Sequence, residues 1–167
     1  MVDITTERLC MTPVGNNHLD AFRRLHGDAR VVGGMKHGVL DAAGVEALYA
    51  EYRAGWQAHG IGIWSVLRLS DEFYLGIAGL WMREDGQGWA LRYAIDPDHR
   101  GLGFAREAAG AALDHALRVH GLARVVAVTR DVNEASRRVL EGIGMVRESN
   151  CLDGVAGRLL YANRHKS

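Results

Sequence analysis

The stretch Tyr93-Ala94-Ile95-Asp96-Pro97-Asp98-His99-Arg100-Gly101-Leu102-Gly103-Phe104-Ala105 carries the chain from a strand into a helix. Trp89–Ile95 is an apolar run of strand length, and Pro97 must end it because proline brings no N–H to a ladder. From Phe104 to Val119, residues Ala105, Ala108, Ala112, Leu113 and Ala116 share one stripe at helical spacing, and side chains this small let a helix sit close on a sheet. Between the two elements lie Arg100, Gly101 and Gly103. Unpaired amides at a helix start, with the partial positive charge of its dipole, form an anion site, and glycines let phosphate oxygens reach the backbone. A pyrophosphate suits that description. On the two glycines alone, a tight strand-to-helix turn with no ligand is the stronger reading.

Other phosphate motifs do not fit. A dinucleotide-binding GxGxxG needs a third glycine where Arg106 stands, and the GxxxxGK[ST] pattern is absent. Downstream, Val125–Thr129 is a short β-branched strand. Asn133–Ile143 reads as a helix with Ala135, Val139, Leu140 and Ile143 apolar and Gly144 as its C-cap. Met145–Glu148 and Arg158–Ala162 close the chain as paired strands around a glycine-containing loop. Upstream, Arg8–Val14 alternates, with Leu9, Met11 and Pro13 on one side. Asn16 and Asn17 then precede a short helix over His18–Leu25, with an asparagine as N-cap. Gly27–Leu40 has no period and reads as a loop or a frayed helix. Asp41 caps a second helix, in which Val45, Leu48, Tyr52 and Trp56 recur before Gly60. Ile63–Leu69 and Gly76–Met82 form a hairpin around Ser70-Asp71-Glu72, and Glu84-Asp85-Gly86 leads into the strand at Trp89. The fold class is α/β (α+β): a mixed, mostly antiparallel twisted sheet of about seven strands flanked by about four helices.

Composition limits the function classes. At roughly 100–200 residues per domain, 167 residues make a single domain spanning 1–167. Twenty Lys plus Arg balance twenty Asp plus Glu, which argues against a nucleic-acid binder, since a polyanion needs a basic surplus. No stretch nears the ~18 apolar residues of a membrane span, and the acidic start MVDITTERL lacks a secretory pattern, so a cytoplasmic protein is expected. Cys10 and Cys151 are far apart and suggest reduced thiols. With no HxxxH or paired Cys/His set, no metal is expected. Twenty-one glycines against two prolines imply tight turns rather than a linker. The one short basic run is RHK before Ser167.

Three segments together resemble the GNAT superfamily of acyl-CoA-dependent N-acetyltransferases. Arg100-Gly101-Leu102-Gly103-Phe104-Ala105 is similar to its Arg/Gln-x-x-Gly-x-Gly/Ala motif. Asn133-Glu134-Ala135-Ser136-Arg137-Arg138-Val139-Leu140-Glu141-Gly142-Ile143-Gly144-Met145 resembles the NxxSxxxLxxxGF segment of the ribosomal-protein N-terminal acetyltransferase-like branch. Thr6-Glu7-Arg8-Leu9 followed by Pro13 resembles that branch too. The resemblance implies acetyl-CoA as co-substrate, its pyrophosphate on Arg100, Gly101, Leu102, Gly103, Phe104 and Ala105. The pantetheine arm would lie like a strand beside the one ending at Tyr93 and Ile95. Asn133 and Ser136 would bond the arm and the thioester region, with Arg137 nearby.

Acetyl transfer to an amine needs a neutral nucleophile, a polarised carbonyl and a proton for the departing thiolate. Many GNAT enzymes supply that proton from a tyrosine on the second helix of the motif region, where this chain has Leu140. The resemblance therefore points to Ser136 as general acid. Ser136 and Asn133 also suit capping at a helix start. For the base, Glu148 beyond the Gly144-Met145 turn is the carboxylate to test, beside a solvent water acting on a desolvated amine. His26, His37 and His99 read as surface or packing residues, and Trp56, Trp64 and Trp81 as core or pocket wall.

The primary-amine acceptor, a peptide N-terminus or small molecule, is expected between Gly27–Leu40 and Asn150–Gly157. Asp28 is the one acid in the first segment, against Arg30, Lys36 and His37, which favours a peptide or small neutral amine over a strongly cationic one. The alternative is a non-catalytic CoA-binding sensor or interaction module, which would keep the same glycine turn. Family members commonly form a homodimer through their late strands.

Overall fold

A computed structural model describes residues 2–32 and 38–164. The strands are β1 (Ile4–Thr5), β2 (Leu9–Pro13), β3 (Ile63–Arg68), β4 (Tyr74–Met82), β5 (Trp89–Ile95), β6 (Val126–Arg130), β7 (Met145–Leu152) and β8 (Val155–Asn163). The helices are α1 (Leu19–Gly27), α2 (Ala29–Val32), α3 (Ala42–His59), α4 (Phe104–Asp114) and α5 (Glu134–Gly142). The eight strands form one sheet in the order β1-β2-β3-β4-β5-β6-β8-β7. Every neighbouring pair is antiparallel except β5 and β6, which run parallel and share a single register pair, Ala90 with Val126.

Local chemistry sets most of these boundaries. The Asp41 carboxylate accepts the Gly44 amide at 2.8 Å and caps α3, which Gly60 ends at φ 67°, its N–H on Trp56 O. The helix at Leu19 begins after a 3₁₀ turn over Asn16–His18 and has no side-chain cap, so the asparagine cap read from the sequence does not form. At α4 the tight stripe continues as a π turn over His115–Val119, with Ala108, Ala109, Ala112 and Ala116 fully buried.

Two layers cover the sheet. On one face, α4 and α5 close over Leu91, Ile95, Trp64, Val125 and Tyr161; on the other, α1 and α3 bury Phe22, Tyr49, Tyr52, Ile63, Ile77 and Ala94. Trp56 and Trp64 meet edge to face at 4.7 Å, as wall residues of the core.

The sequence reading came out one strand and one helix short. The extra strand, β1, has two residues, and α2 is a single turn inside the stretch read as a loop or frayed helix. The closing hairpin is also longer than Met145–Glu148 and Arg158–Ala162, because its turn tightens onto Asp153 and Gly154, both at positive φ. The segment 150–157 is therefore mostly strand. Among the described residues no helix is long and apolar enough to cross a membrane, and no group of three His, Cys, Asp or Glu could hold a metal ion.

Candidate active site

The turn after β5 is built by its own residues. Asp96 accepts the Asp98 amide at 2.9 Å, and His99 N–H reaches Asp96 O at 3.0 Å, so the chain reverses within one turn. Gly101 at φ 76° and Gly103 at φ 84° then take left-handed conformations that let α4 start at once. A Cβ on Gly101 would meet open space. Among the described residues no protein acceptor meets the main-chain amides of Gly101, Leu102, Gly103, Phe104, Ala105 or Arg106; the Glu107 amide is the first to find one, Gly103 O at 3.1 Å. Successive free N–H groups at the positive end of a helix are what an anionic diphosphate needs.

A brace from the bend between β1 and β2 holds this turn. Glu107, in the first turn of α4, accepts Thr6 Oγ1 at 2.6 Å, the Arg8 amide at 2.9 Å and Arg8 Nε at 2.7 Å. Arg8 also donates through Nη1 to Leu102 O at 2.8 Å and lies 4.6 Å over the Phe104 ring. Burial alone would raise the Glu107 carboxyl, but the Thr6 hydroxyl and the two Arg8 donors hold it below the ordinary glutamate range. Nothing within Thr6-Glu7-Arg8-Leu9 itself signals this role, because the partner lies about a hundred residues away. Arg8, Gly103, Arg106, Gly110 and Ile143 line an open groove of about 640 Å³ along the outer side of α4.

Beyond Ala90 and Val126 the two parallel strands part. Leu91–Ile95 stay fully paired to β4, but no register pair joins them to β6. The Tyr93 side chain crosses the opening: its hydroxyl lies 2.8 Å from Ser136 Oγ and donates to Ser136 O at 3.2 Å. Ser136 is fixed from below, since its amide donates to Asn133 Oδ1 at 3.1 Å as the cap of α5. Burial pushes the Tyr93 hydroxyl up to about 12, an effect the Ser136 hydrogen bond partly offsets. The pair is therefore a protonated hydroxyl chain at neutral pH.

The remaining site residues fall into place unevenly. Arg100 turns away from the free amides: Nε donates to Ile95 O at 3.3 Å and Nη2 to Arg30 O at 3.1 Å, tying β5 to α2. Its side chain thus shapes the turn rather than facing the glycines. Arg137 donates through Nη1 to Asp131 O at 3.1 Å, and its buried Nε has no partner among the described residues. Glu148 is on edge strand β7 in a bidentate pair with Arg124, at 2.8 and 2.7 Å. Arg124 precedes β6, at the end where β5 and β6 still meet. The fold therefore does not bring Glu148 to the Tyr93–Ser136 pair. His26 is buried against Phe22 O, and His99 faces Asp96. Lys36 and His37, and His165 and Lys166 of the basic run, lie outside the described residues.

On the opposite face of β5, Arg92 donates through Nη1 to Tyr52 Oη at 2.7 Å, with its guanidinium 4.2 Å from the Trp81 ring. Sequence spacing offered no signal for this group, because its members come from three separate elements.

A family model described as an acetyltransferase (GNAT) domain matches residues 8–146. Among solved structures, the chain resembles an acetyltransferase from Agrobacterium tumefaciens at 23% identity, over 99% of this chain and 95% of that one, with a TM-score of 0.88. It resembles a ribosomal L7/L12 alpha-N-protein acetyltransferase in complex with coenzyme A at 16% identity, over 97% of each chain, TM-score 0.81. A spermidine N-acetyltransferase from Vibrio cholerae, in complex with coenzyme A and spermine, matches at 15% identity over 94% of each chain, TM-score 0.76. At these identities the likeness establishes a common fold.

Proposed function

This chain belongs to the GNAT acetyltransferase family, and we propose that it transfers the acetyl group of acetyl-CoA to a primary amine by direct attack, in the cytoplasm. The observation that carries this reading is the run of amides from Gly101 to Arg106 without protein acceptors, at the head of α4 and beside an unpaired strand edge.

The residues present suit that co-substrate. The free amides suit a diphosphate, and the open side of Leu91–Ile95 suits the amide groups of an extended arm, as strand addition requires. When bound, acetyl-CoA supplies an activated acetyl group. The chain's part is to hold it, exclude water and manage protons. Ser136 Oγ is the donor for the departing sulfur, and Tyr93 Oη replenishes it through their shared hydrogen bond. Removal of the amine proton falls to solvent, since Arg124 engages Glu148.

Thiol release from acetyl-CoA against amines and peptides tests the activity, and thermal shift tests the site. Acetyl-CoA should raise the melting temperature while ATP and NAD should not. No stabilisation by acetyl-CoA overturns the reading. Stabilisation without thiol release from any acceptor makes the chain a CoA-binding module.

A further inference from the structure

Nine arginines of the described chain, Arg8, Arg23, Arg30, Arg68, Arg83, Arg118, Arg124, Arg138 and Arg158, have a carboxylate partner. Arg92 is half-buried in the middle of β5 and has none among the described residues. Its contacts are the Tyr52 hydroxyl and the Trp81 face. Taking a guanidinium out of water without a counter-charge is costly, and a tyrosine hydroxyl does not neutralise it. A planar fork left partly unsatisfied and held by one hydrogen bond and one ring is a preformed receptor for a carboxylate.

The surroundings narrow the ligand. Tyr52 and Trp81 also wall a cleft of about 300 Å³, lined further by Ile63, Leu80 and Trp89, with Glu51 and His59 on the α3 side. Next to Arg92 in the chain, Tyr93 points to the other face of β5 and meets Ser136 beside the strand opening. One stretch of β5 thus carries a carboxylate receptor and an aromatic cleft on one face and the hydroxyl pair assigned to acetyl transfer on the other, with the opening between β5 and β6 linking the two. A polycation finds the opposite there: Arg92 lies 4.2 Å and Arg83, itself paired with Asp85, 5.7 Å from the Trp81 ring.

We propose that the acceptor is a free α-amino acid with a large apolar side chain, its carboxylate on Arg92, its side chain in the cleft and its α-amine toward the Tyr93–Ser136 opening. This rests on the acetyltransferase reading above. In the reaction the amine nitrogen forms the amide bond to the acetyl carbon and the thioester C–S bond breaks. The sulfur takes its proton from Ser136; of the two protons the ammonium gives up, one leaves to solvent before attack and the other restores Ser136 through the Tyr93 hydroxyl.

The test is thiol release from acetyl-CoA with L-phenylalanine, L-phenylalaninamide, phenethylamine and spermidine. L-Phenylalanine should exceed the other three in kcat/KM by about thirtyfold or more, as expected when a half-buried charge loses its one charged partner. Arg92→Gln should bring L-phenylalanine down to the level of its amide, with acetyl-CoA stabilisation unchanged. Arg92→Lys, which keeps charge and bulk, should fall between. Titration with N-acetyl-L-phenylalanine, followed by tryptophan fluorescence, should show binding weakened at least tenfold by Arg92→Gln. Equal turnover of acid and amide overturns the proposal, as does a preference that survives Arg92→Gln, or binding of acetyl-CoA without turnover of L-phenylalanine. Failure to bind acetyl-CoA overturns instead the activity on which the proposal stands.

Discussion

The hydroxyls of Tyr93 and Ser136 lie 2.8 Å apart, joining β5 to α5 where β5 and β6 have already separated. Forty-three residues divide them in sequence, and one opening joins them in space. If this pair delivers the proton to the departing thiolate, its loss should be felt in turnover rather than in binding. Ser136→Ala is expected to lower kcat about 10–100-fold, and Tyr93→Phe about tenfold, with acetyl-CoA affinity changed less than threefold. Steady-state kinetics with calorimetric titration of acetyl-CoA checks the split; a parallel loss of affinity would make both residues binding groups only.

The glycine turn makes a graded prediction. At φ 76° with open space around it, Gly101 should tolerate alanine at the cost of left-handed strain alone, about 1 kcal/mol. Gly103 has the same strain at φ 84°, and a new Cβ would stand 3.2 Å from Arg8 Nη2. Gly103→Val should therefore cost more stability in urea denaturation than Gly101→Ala and abolish acetyl-CoA stabilisation.

Acid should attack the brace at Glu107. Its carboxyl is held below the usual glutamate range, so the native state binds fewer protons than the unfolded chain. The stabilisation is complete above the unfolded pKa near ~4.3 and is lost as pH falls through the lower folded value. Glu107→Gln should be less stable than the parent at pH 7, and the difference should shrink below about pH 4. Melting curves from pH 3 to 7 measure it; a constant gap would mean that the Thr6 and Arg8 contacts do not depend on charge.

Glu148→Gln separates two sources of the base. The Arg124 pair is about one-third exposed on both sides, which limits its contribution to roughly 1 kcal/mol or less. With solvent as proton acceptor, the variant should keep the acid limb of its pH–rate profile in place. A shift of that limb would make Glu148 the base.

What could be read from the chain divides along a physical line. Trp89–Ile95, the Asp41 and Asn133 caps and the small-residue stripe of α4 were legible because period, proline and capping chemistry act within a few residues. The glycine turn was legible for the same reason. Arg8 on Glu107, Tyr93 on Ser136 and Arg92 between Tyr52 and Trp81 were not, since each pair is made by the order of strands in the sheet. The same holds for Glu148: its position after Gly144-Met145 suggested a place near the chemistry, but β8 intervenes between β6 and β7 and leaves it with Arg124 at the sheet's border.

An exposed strand edge invites other chains to add on, and proteins commonly blunt theirs at the rim of a sheet. Here the adhesive edge runs down the interior, shielded by β4 on one side and facing β6 across a cleft on the other. Another protein's sheet cannot extend a strand whose neighbours on both sides belong to its own sheet, whereas a single extended chain can add to the unpaired backbone from within. The topology thus keeps a sticky backbone surface for a ligand while withholding it from clumping.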